Sequence, residues 1–261
     1  MAARVLKVLS NVQVSDRYWH MVVDSSALDE EVHPGQFFNI RCGEAVDPLL
    51  RRPFSIYRIN KQEKTLEFLY LVKGAGTQRM TRIQAGEGLD VLGPLGQGFT
   101  LIEERDTILL LARGVGIATL AALAQEAAER GIRSIAILSA RSRNDLLATQ
   151  TLQSLGAEVY SVTEEEGNSD PEHVQELIDR ITERHAVKAV YTCGSKRLSS
   201  MLQRLTAERG IPGQIALEEH MGCAMGVCYA CVCDIREAGE LHSVRVCLEG
   251  PVFDLQKVVL A

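Results

Sequence analysis

The chain has 261 residues, 46% of them hydrophobic, and a net charge of −6. That length suits about two domains with a small appended module, and the acidic balance excludes the basic field that nucleic acid requires. No apolar run reaches the roughly 18 residues needed to span a bilayer, and residues 1–7 are too short and too weakly apolar for a secretory signal. An intracellular, cytoplasmic protein is therefore expected.

In chain order, short strand-like runs come first, at residues 4–14, 18–23, 37–41, 54–58, 66–72 and 88–92. Pro34-Gly35 and Gly93-Pro94 punctuate them, and the pattern predicts a small antiparallel barrel over 1–98. A single short helix is expected within it at 78–83. The period then changes. A buried-strand run at 107–112 passes through Gly114 and Gly116 into an alanine-rich helix at 118–130, the first unit of a parallel sheet. Strands at 134–140, 158–162 and 189–192 alternate with helices at 146–154, 171–184 and 198–209, which predicts a doubly wound α/β domain over 99–213. Asp170-Pro171 reads as a helix start, a polar cap ahead of proline at the first helical position. The acidic stretch 163–168 reads as a solvated loop. A last strand at 214–219 leads into a cysteine-bearing module, 214–261.

That module carries the most specific pattern in the chain. Cys223, Cys228 and Cys231 are spaced C-x4-C-x2-C, and Cys247 follows at a distance. This is the spacing of a plant-type [2Fe–2S] ligand loop. A structural zinc site more often has two short ligand pairs, and an odd number of cysteines, seven, argues against a disulfide framework. Cys233 is open to two readings, a spare ligand or a small buried hydrophobe. His220 abuts the loop, either as a structural or exposed side chain or as one that tunes the cluster's potential or delivers a proton. Met221, Met225, Val227 and Tyr229 offer apolar contact to a partner.

Two motifs in the barrel suit a phosphate-bearing cofactor. Arg52-Pro53-Phe54-Ser55 sets a guanidinium, an aromatic face and a hydroxyl at successive strand positions. Lys73-Gly74-Ala75-Gly76-Thr77 leaves a strand and opens a helix whose amides can hold a pyrophosphate.

Barrel, α/β domain and cysteine loop in this order resemble the ferredoxin–NADP reductase superfamily with an appended C-terminal cluster. Together with Gly93-Pro94-Leu95-Gly96 and the ending Cys247-Leu248-Glu249-Gly250-Pro251-Val252-Phe253, the motifs look most like the electron-transfer subunits of class 1B dihydroorotate dehydrogenase. The resemblance spans essentially the whole chain. It implies FAD in the barrel, with Arg52 at the pyrophosphate and Pro53, Phe54 and Ser55 along the isoalloxazine and ribityl. Leu69, Tyr70 and Leu71 would contact it through backbone and packing, Tyr70 having the competing role of a barrel core side chain. Gly76 and Thr77 would meet phosphate. Cys223, Cys228, Cys231 and Cys247 would hold the cluster.

The resemblance further implies a partner, an FMN-containing catalytic subunit that oxidises dihydroorotate to orotate, joined with this chain in a heterotetramer. Electrons would pass through the cluster and FAD to NAD+. No acid–base constellation for pyrimidine chemistry appears on this chain, consistent with that division.

The nicotinamide site would lie at Gly114, Gly116 and Cys193. Here the sequence departs from the family pattern, with Arg113 where glycine is usual and Ser195 where proline is usual. Arg113 has two readings, attraction of a pyrophosphate or obstruction of the turn. Cys193 likewise faces the nicotinamide or is buried structure. Arg141 and Arg143, after the second strand, could select a 2′-phosphate or be merely solvated. The rival functions are a reductase or relay subunit for a different oxidoreductase, with or without nicotinamide, and a zinc-bearing scaffold.

Overall fold

A computed structural model describes residues 3–43, 48–102 and 106–260. Met1 and Ala2, where the N-terminal stretch begins, lie outside the described residues. The first unit comprises β1 (Ala3–Gln13), β2 (Tyr18–Asp24), β3 (Phe37–Ile40), β4 (Arg52–Ser55), β5 (Arg58–Asn60), β6 (Thr65–Leu71), a short helix α1 (Ala75–Met80) and β7 (Gly88–Leu95). They form an antiparallel sheet in the order β4-β3-β7-β1-β2-β6-β5. The run expected as one strand at 54–58 is two. The chain leaves one edge of the sheet at Ser55 and joins the opposite edge at Arg58, burying Ile56 and Tyr57 as it crosses. Pro53, which cannot donate to a ladder, sits on the edge strand β4, where a missing N–H costs least. Phe54 meets Tyr70 edge-to-face at 5.9 Å, drawing the two ends of the sheet together.

The second unit follows the expected alternation: β8 (Thr107–Arg113), α2 (Ile117–Glu129), β9 (Arg133–Ala140), α3 (Thr149–Ser154), β10 (Glu158–Thr163), α4 (Pro171–Arg184), β11 (Val187–Cys193), α5 (Lys196–Arg209) and β12 (Gly213–Ala216). The Asp170 carboxylate accepts from His173 N and Pro171 opens α4, as the sequence predicts. Helix α2 lies between its sheet and the barrel. Its alanines at 118, 121, 124 and 127 are buried in one cluster with Tyr18, Tyr57 and Leu69 of the barrel, small side chains permitting a close approach on both sides. Gln125 fixes the relative orientation, donating to Ile59 O at 2.6 Å and accepting from Ile59 N at 3.2 Å.

The last part of the chain has more regular structure than the sequence suggests. β13 (Val232–Glu237) and β14 (Glu240–Arg245) form a hairpin, and β15 (Val252–Asp254) returns to pair antiparallel with β12. The α/β sheet thus reads β10-β9-β8-β11-β12-β15, with the chain's end as its edge. The cysteine module also packs on the barrel, where Ala224, Cys231, Val246 and Cys247 share a core with Phe37 and Leu95.

Gly96, at φ +75°, marks the closest approach of barrel and tail. A Cβ there would lie 2.5 Å from Pro251 Cδ and 2.6 Å from Gly250 O. Gly96→Ala is expected to destabilise by at least about 1–2 kcal/mol from the left-handed conformation alone, lowering Tm by several degrees. Thermal melting with amide exchange at Gln97 and Leu217 tests this, and unchanged melting with unchanged protection would contradict it.

Candidate functional site

The barrel supplies a basic edge. Of the adjacent arginines, Arg51 is committed to the fold, its guanidinium forming a two-pronged bond to the Asp90 carboxylate at 2.8 and 2.9 Å. Among the described residues, Arg52 bonds only to carbonyls beside it, Leu50 O at 2.7 Å and Arg51 O at 3.1 Å. Gly76 abuts it. A Cβ on Gly76 would come within 3.3 Å of Cys42 Sγ and 3.6 Å of Arg52 Cγ. The turn into α1 is closed by the Thr77 hydroxyl, which accepts from Lys73 N at 2.9 Å and donates to Gly74 O at 3.1 Å. This starts the helix earlier than expected, at Ala75. The amides of Ala75, Gly76 and Thr77 precede its first internal bond, Gln78 N to Gly74 O.

A guanidinium, a glycine at close quarters and first-turn amides together fit a pyrophosphate. The rings of Phe54 and Tyr70 instead face the barrel core, and Tyr70 donates to Asn11 Oδ1 at 3.0 Å. Burial raises the Tyr70 phenol well above its ordinary value. On the opposite face of β6, Leu69 is buried against the α/β unit and Leu71 lines a cleft. Pro53 and Ser55 are partly exposed on β4.

That cleft, about 260 Å³, runs between the barrel and the C-terminal ends of β8, β9 and β11. Such ends are where open α/β sheets bind ligands. Its floor is glycine: Gly114, Gly116 and Gly194. Gly116 approaches the next turn so closely that a Cβ would lie 2.6 Å from Cys193 O, and a Cβ on Gly194, at φ +101°, would lie 2.3 Å from Arg113 O. Ser195, where proline was expected, caps α5 by accepting from Leu198 N. Cys193 is buried, 2% exposed, beneath this floor. Desolvation raises its thiol well above the usual value, and Glu218, whose Oε1 is 4.0 Å away, adds to the effect.

Arg113 does not obstruct the turn. Its guanidinium is drawn along the sheet edge, donating to Ser139 Oγ at 2.7 Å and pairing with Glu164. The stretch 163–168 is therefore more than the solvated loop expected. Glu164 holds Arg113, and Glu166 holds Arg143. Sequence reasoning also missed Arg17, Tyr18, Asp145 and Glu218 on the cleft wall. Glu218 was findable, since it stands just beyond the C-terminal end of β12. Desolvation raises its carboxyl from the ordinary value, partly offset by the charge of Lys73.

The four expected cysteine ligands come together as two pairs. Cys223 N points at Cys228 Sγ at 3.4 Å and Cys228 N at Cys223 Sγ at 3.4 Å, while Cys247 N points at Cys231 Sγ at 3.5 Å. Gly226 N, at 3.2 Å from Cys247 Sγ, links the pairs. Although desolvation opposes it, the amides of Met225, Cys228 and Val227 bring the Cys223 thiol down to about 6. Burial pushes Cys247 up to about 12.

Among the described residues no three His, Cys, Asp or Glu side chains converge on a single-ion site. Four thiols set two and two, with amides aimed at sulfur, fit the donor set of a two-iron cluster. Arg245 braces the loop, donating to Gly226 O at 2.9 Å, pairing with Glu249 and lying over the Tyr229 ring at 5.0 Å. Cys233 sits on β13, packed against the same core, with burial raising its thiol to about 11. Met221 also packs there, and His220 is exposed. Val227 (76% exposed) and Tyr229 (63%) project from the loop beside the exposed Cys228.

Residues 218–259 match the family model of the iron-sulfur cluster binding domain of dihydroorotate dehydrogenase B. The chain is 34% identical over 253 residues to the dihydroorotate dehydrogenase B (NAD(+)) electron transfer subunit of Desulforamulus reducens, covering 97% of each. To the subunit of the same name from Shouchella clausii it is 36% identical over 259 residues, 98% of this chain and 97% of that one. Among solved structures, an NADH-dependent reduced ferredoxin–NADP oxidoreductase superposes with a TM-score of 0.82 at 23% identity, over 98% of this chain and 90% of that one. Ferredoxin-NADP+ reductase from Plasmodium falciparum does so with 0.65 at 14% identity, over 82% and 96%. At these identities the structural likeness is one of fold. No helix among the described residues is long and apolar enough to cross a membrane.

Cys228→Ser is expected to reduce iron from about two per chain to near zero while flavin stays bound, because Arg52 and Gly76 belong to a different unit. Iron and flavin analysis of the purified variant tests the assignment; full iron content with an intact cluster spectrum would contradict it.

Proposed function

Because this chain belongs to the family of dihydroorotate dehydrogenase B (NAD(+)) electron transfer subunits, we propose that it carries electrons from an FMN-containing catalytic partner, which oxidises dihydroorotate to orotate, to NAD+. The paired thiols of Cys223, Cys228, Cys231 and Cys247 are the observation that carries this reading. A bound flavin and [2Fe–2S] cluster supply the exchange between the two-electron chemistry of a nicotinamide and one-electron steps.

The chain's own work is placement. Arg52, Gly76 and Thr77 bind the FAD pyrophosphate; Pro53 and Ser55 line the flavin, while Phe54 and Tyr70 contribute backbone and hold β4 against β6. Leu69 and Leu71 separate flavin from the α/β unit. Gly114 and Gly116 let a dinucleotide approach the backbone, and Cys193 supports the floor on which the nicotinamide rests. The three functional units are the FAD barrel 1–98, the nicotinamide domain 99–213 and the cluster module 214–261, although β12 and β15 lend the last two a common sheet. Val227 and Tyr229, exposed beside the thiol pairs, suit the face that meets the partner in a heterotetramer. The cytoplasm, where reduced thiols persist, is the proposed location.

Reconstitution tests this. The chain co-expressed with an FMN-containing dihydroorotate dehydrogenase is expected to co-purify with it and to reduce NAD+ with dihydroorotate. The Cys228→Ser complex should lose NAD+ reduction while its partner still reduces a dye. Failure to associate, or undiminished NAD+ reduction in the variant complex, would contradict the proposal.

A further inference from the structure

The nucleotide end of the cleft holds a charge arrangement that neither the sequence nor the relatives assign. In a doubly wound sheet, the adenine ribose of a dinucleotide bound at the first strand-to-helix turn reaches the end of the neighbouring strand. Here that strand is β9, which ends at Ala140, followed by Arg141 and Arg143. A free arginine at this place is the usual means of accepting the 2′-phosphate of NADP.

The loop after β10 changes that for Arg143. Beyond the strand ends its backbone stays bonded to the β9 side, Glu164 N to Ala140 O at 3.1 Å and Glu165 N to Arg141 O at 3.0 Å. The loop is closed on itself by Gly167 N to Glu164 O at 3.0 Å and Asn168 Oδ1 accepting from Thr163 N at 2.7 Å. The backbone carrying its three glutamates is thus held in place. Glu166 pairs with the Arg143 guanidinium, Glu165 accepts from Arg143 N at 3.3 Å, and Glu164 pairs with Arg113. Arg113 and Arg141 both line the cleft.

We propose that Glu164 and Glu166 make this chain selective for NAD over NADP, by occupying Arg113 and Arg143 and setting negative charge where a 2′-phosphate would have to enter. The acid comes from the third strand's loop rather than from the end of the second strand, so the pattern is invisible in the sequence around Arg141. A 2′-phosphate would have to displace a carboxylate from its guanidinium, whereas a ribose hydroxyl can donate to one. The inference rests on the cleft being the nicotinamide nucleotide site.

The flavin-loaded full chain and its variants Glu166→Gln and Glu164→Gln/Glu166→Gln should be titrated calorimetrically at low ionic strength with ADP-ribose and 2′-phospho-ADP-ribose. The ratio of NADPH to NADH rates of flavin bleaching should be measured beside it. The unmodified chain is expected to favour ADP-ribose. In the double variant the relative affinity for the 2′-phosphorylated probe should rise about fivefold or more, the upper range for one exposed ion pair. The gain should shrink in high salt and disappear when Arg143→Ala is added, a dependence that a merely structural loop would not show. The single variant, which disturbs one exposed pair, provides the same test if the double variant loses flavin. An unchanged probe ratio in flavin-loaded variants, or a preference for NADPH in the unmodified chain, would overturn the inference. If neither probe binds and neither nucleotide bleaches the flavin, the nicotinamide reading of the cleft falls, and the inference with it.

Discussion

Two backbone hydrogen bonds hold the Gly250–Pro251 segment between the two larger units: Gln97 N to Gly250 O at 2.6 Å, on the barrel side, and Leu217 N to Pro251 O at 2.9 Å, on the α/β side. Electron transfer needs cofactors at short, fixed separations, and these bonds fix the cysteine module to both neighbours at once. β15 follows immediately and completes the α/β sheet, while Cys231 and Cys247 enter the same apolar core as Phe37 and Leu95. The glycines at 96 and 250 follow from that closeness. At Gly250 a Cβ would strike the Phe253 ring at 2.3 Å.

Around this clamp the electrostatics are local and mutually cancelling. Arg51 is held by Asp90, Arg113 by Glu164, Arg143 by Glu166 and Arg245 by Glu249. Arg52 stands apart among these, bonded among the described residues only to neutral carbonyls. Its charge is therefore the one most available to a pyrophosphate, and its position beside Gly76 places it at a contact where backbone can come near. The contrast between Arg51 and Arg52, adjacent in the chain and opposite in role, lies in their partners: Arg51 reaches the Asp90 carboxylate of β7, whereas Arg52 meets only carbonyls next to it among the described residues.

Much of this was legible in the sequence wherever the cause is local. The spacing of Cys223, Cys228 and Cys231 is set within nine residues, so their convergence could be read directly, and the alternation of strands and helices after residue 106 could be read from periodicity. What escaped notice depends on distant partners. Arg113 and Glu164 are 51 residues apart, and nothing near Arg113 shows that its side chain will be drawn off the turn. The strand break between Ser55 and Arg58 needs the barrel's closure to explain it. β15 has three residues, too few for any period, and exists because β12 offers an open edge. Tyr70 could be packing or contact on sequence grounds; its hydrogen bond to Asn11, across the sheet, favours packing.

The proposed electron path runs on one chain, from a nicotinamide nucleotide in the cleft through the barrel's flavin to the thiol-bound cluster. The most direct test is the anaerobic visible spectrum of the purified, flavin- and iron-loaded protein before and after NADH is added. The flavin and cluster bands are expected to bleach together without any partner present. Bands that persist with NADH yet bleach with dithionite would contradict it.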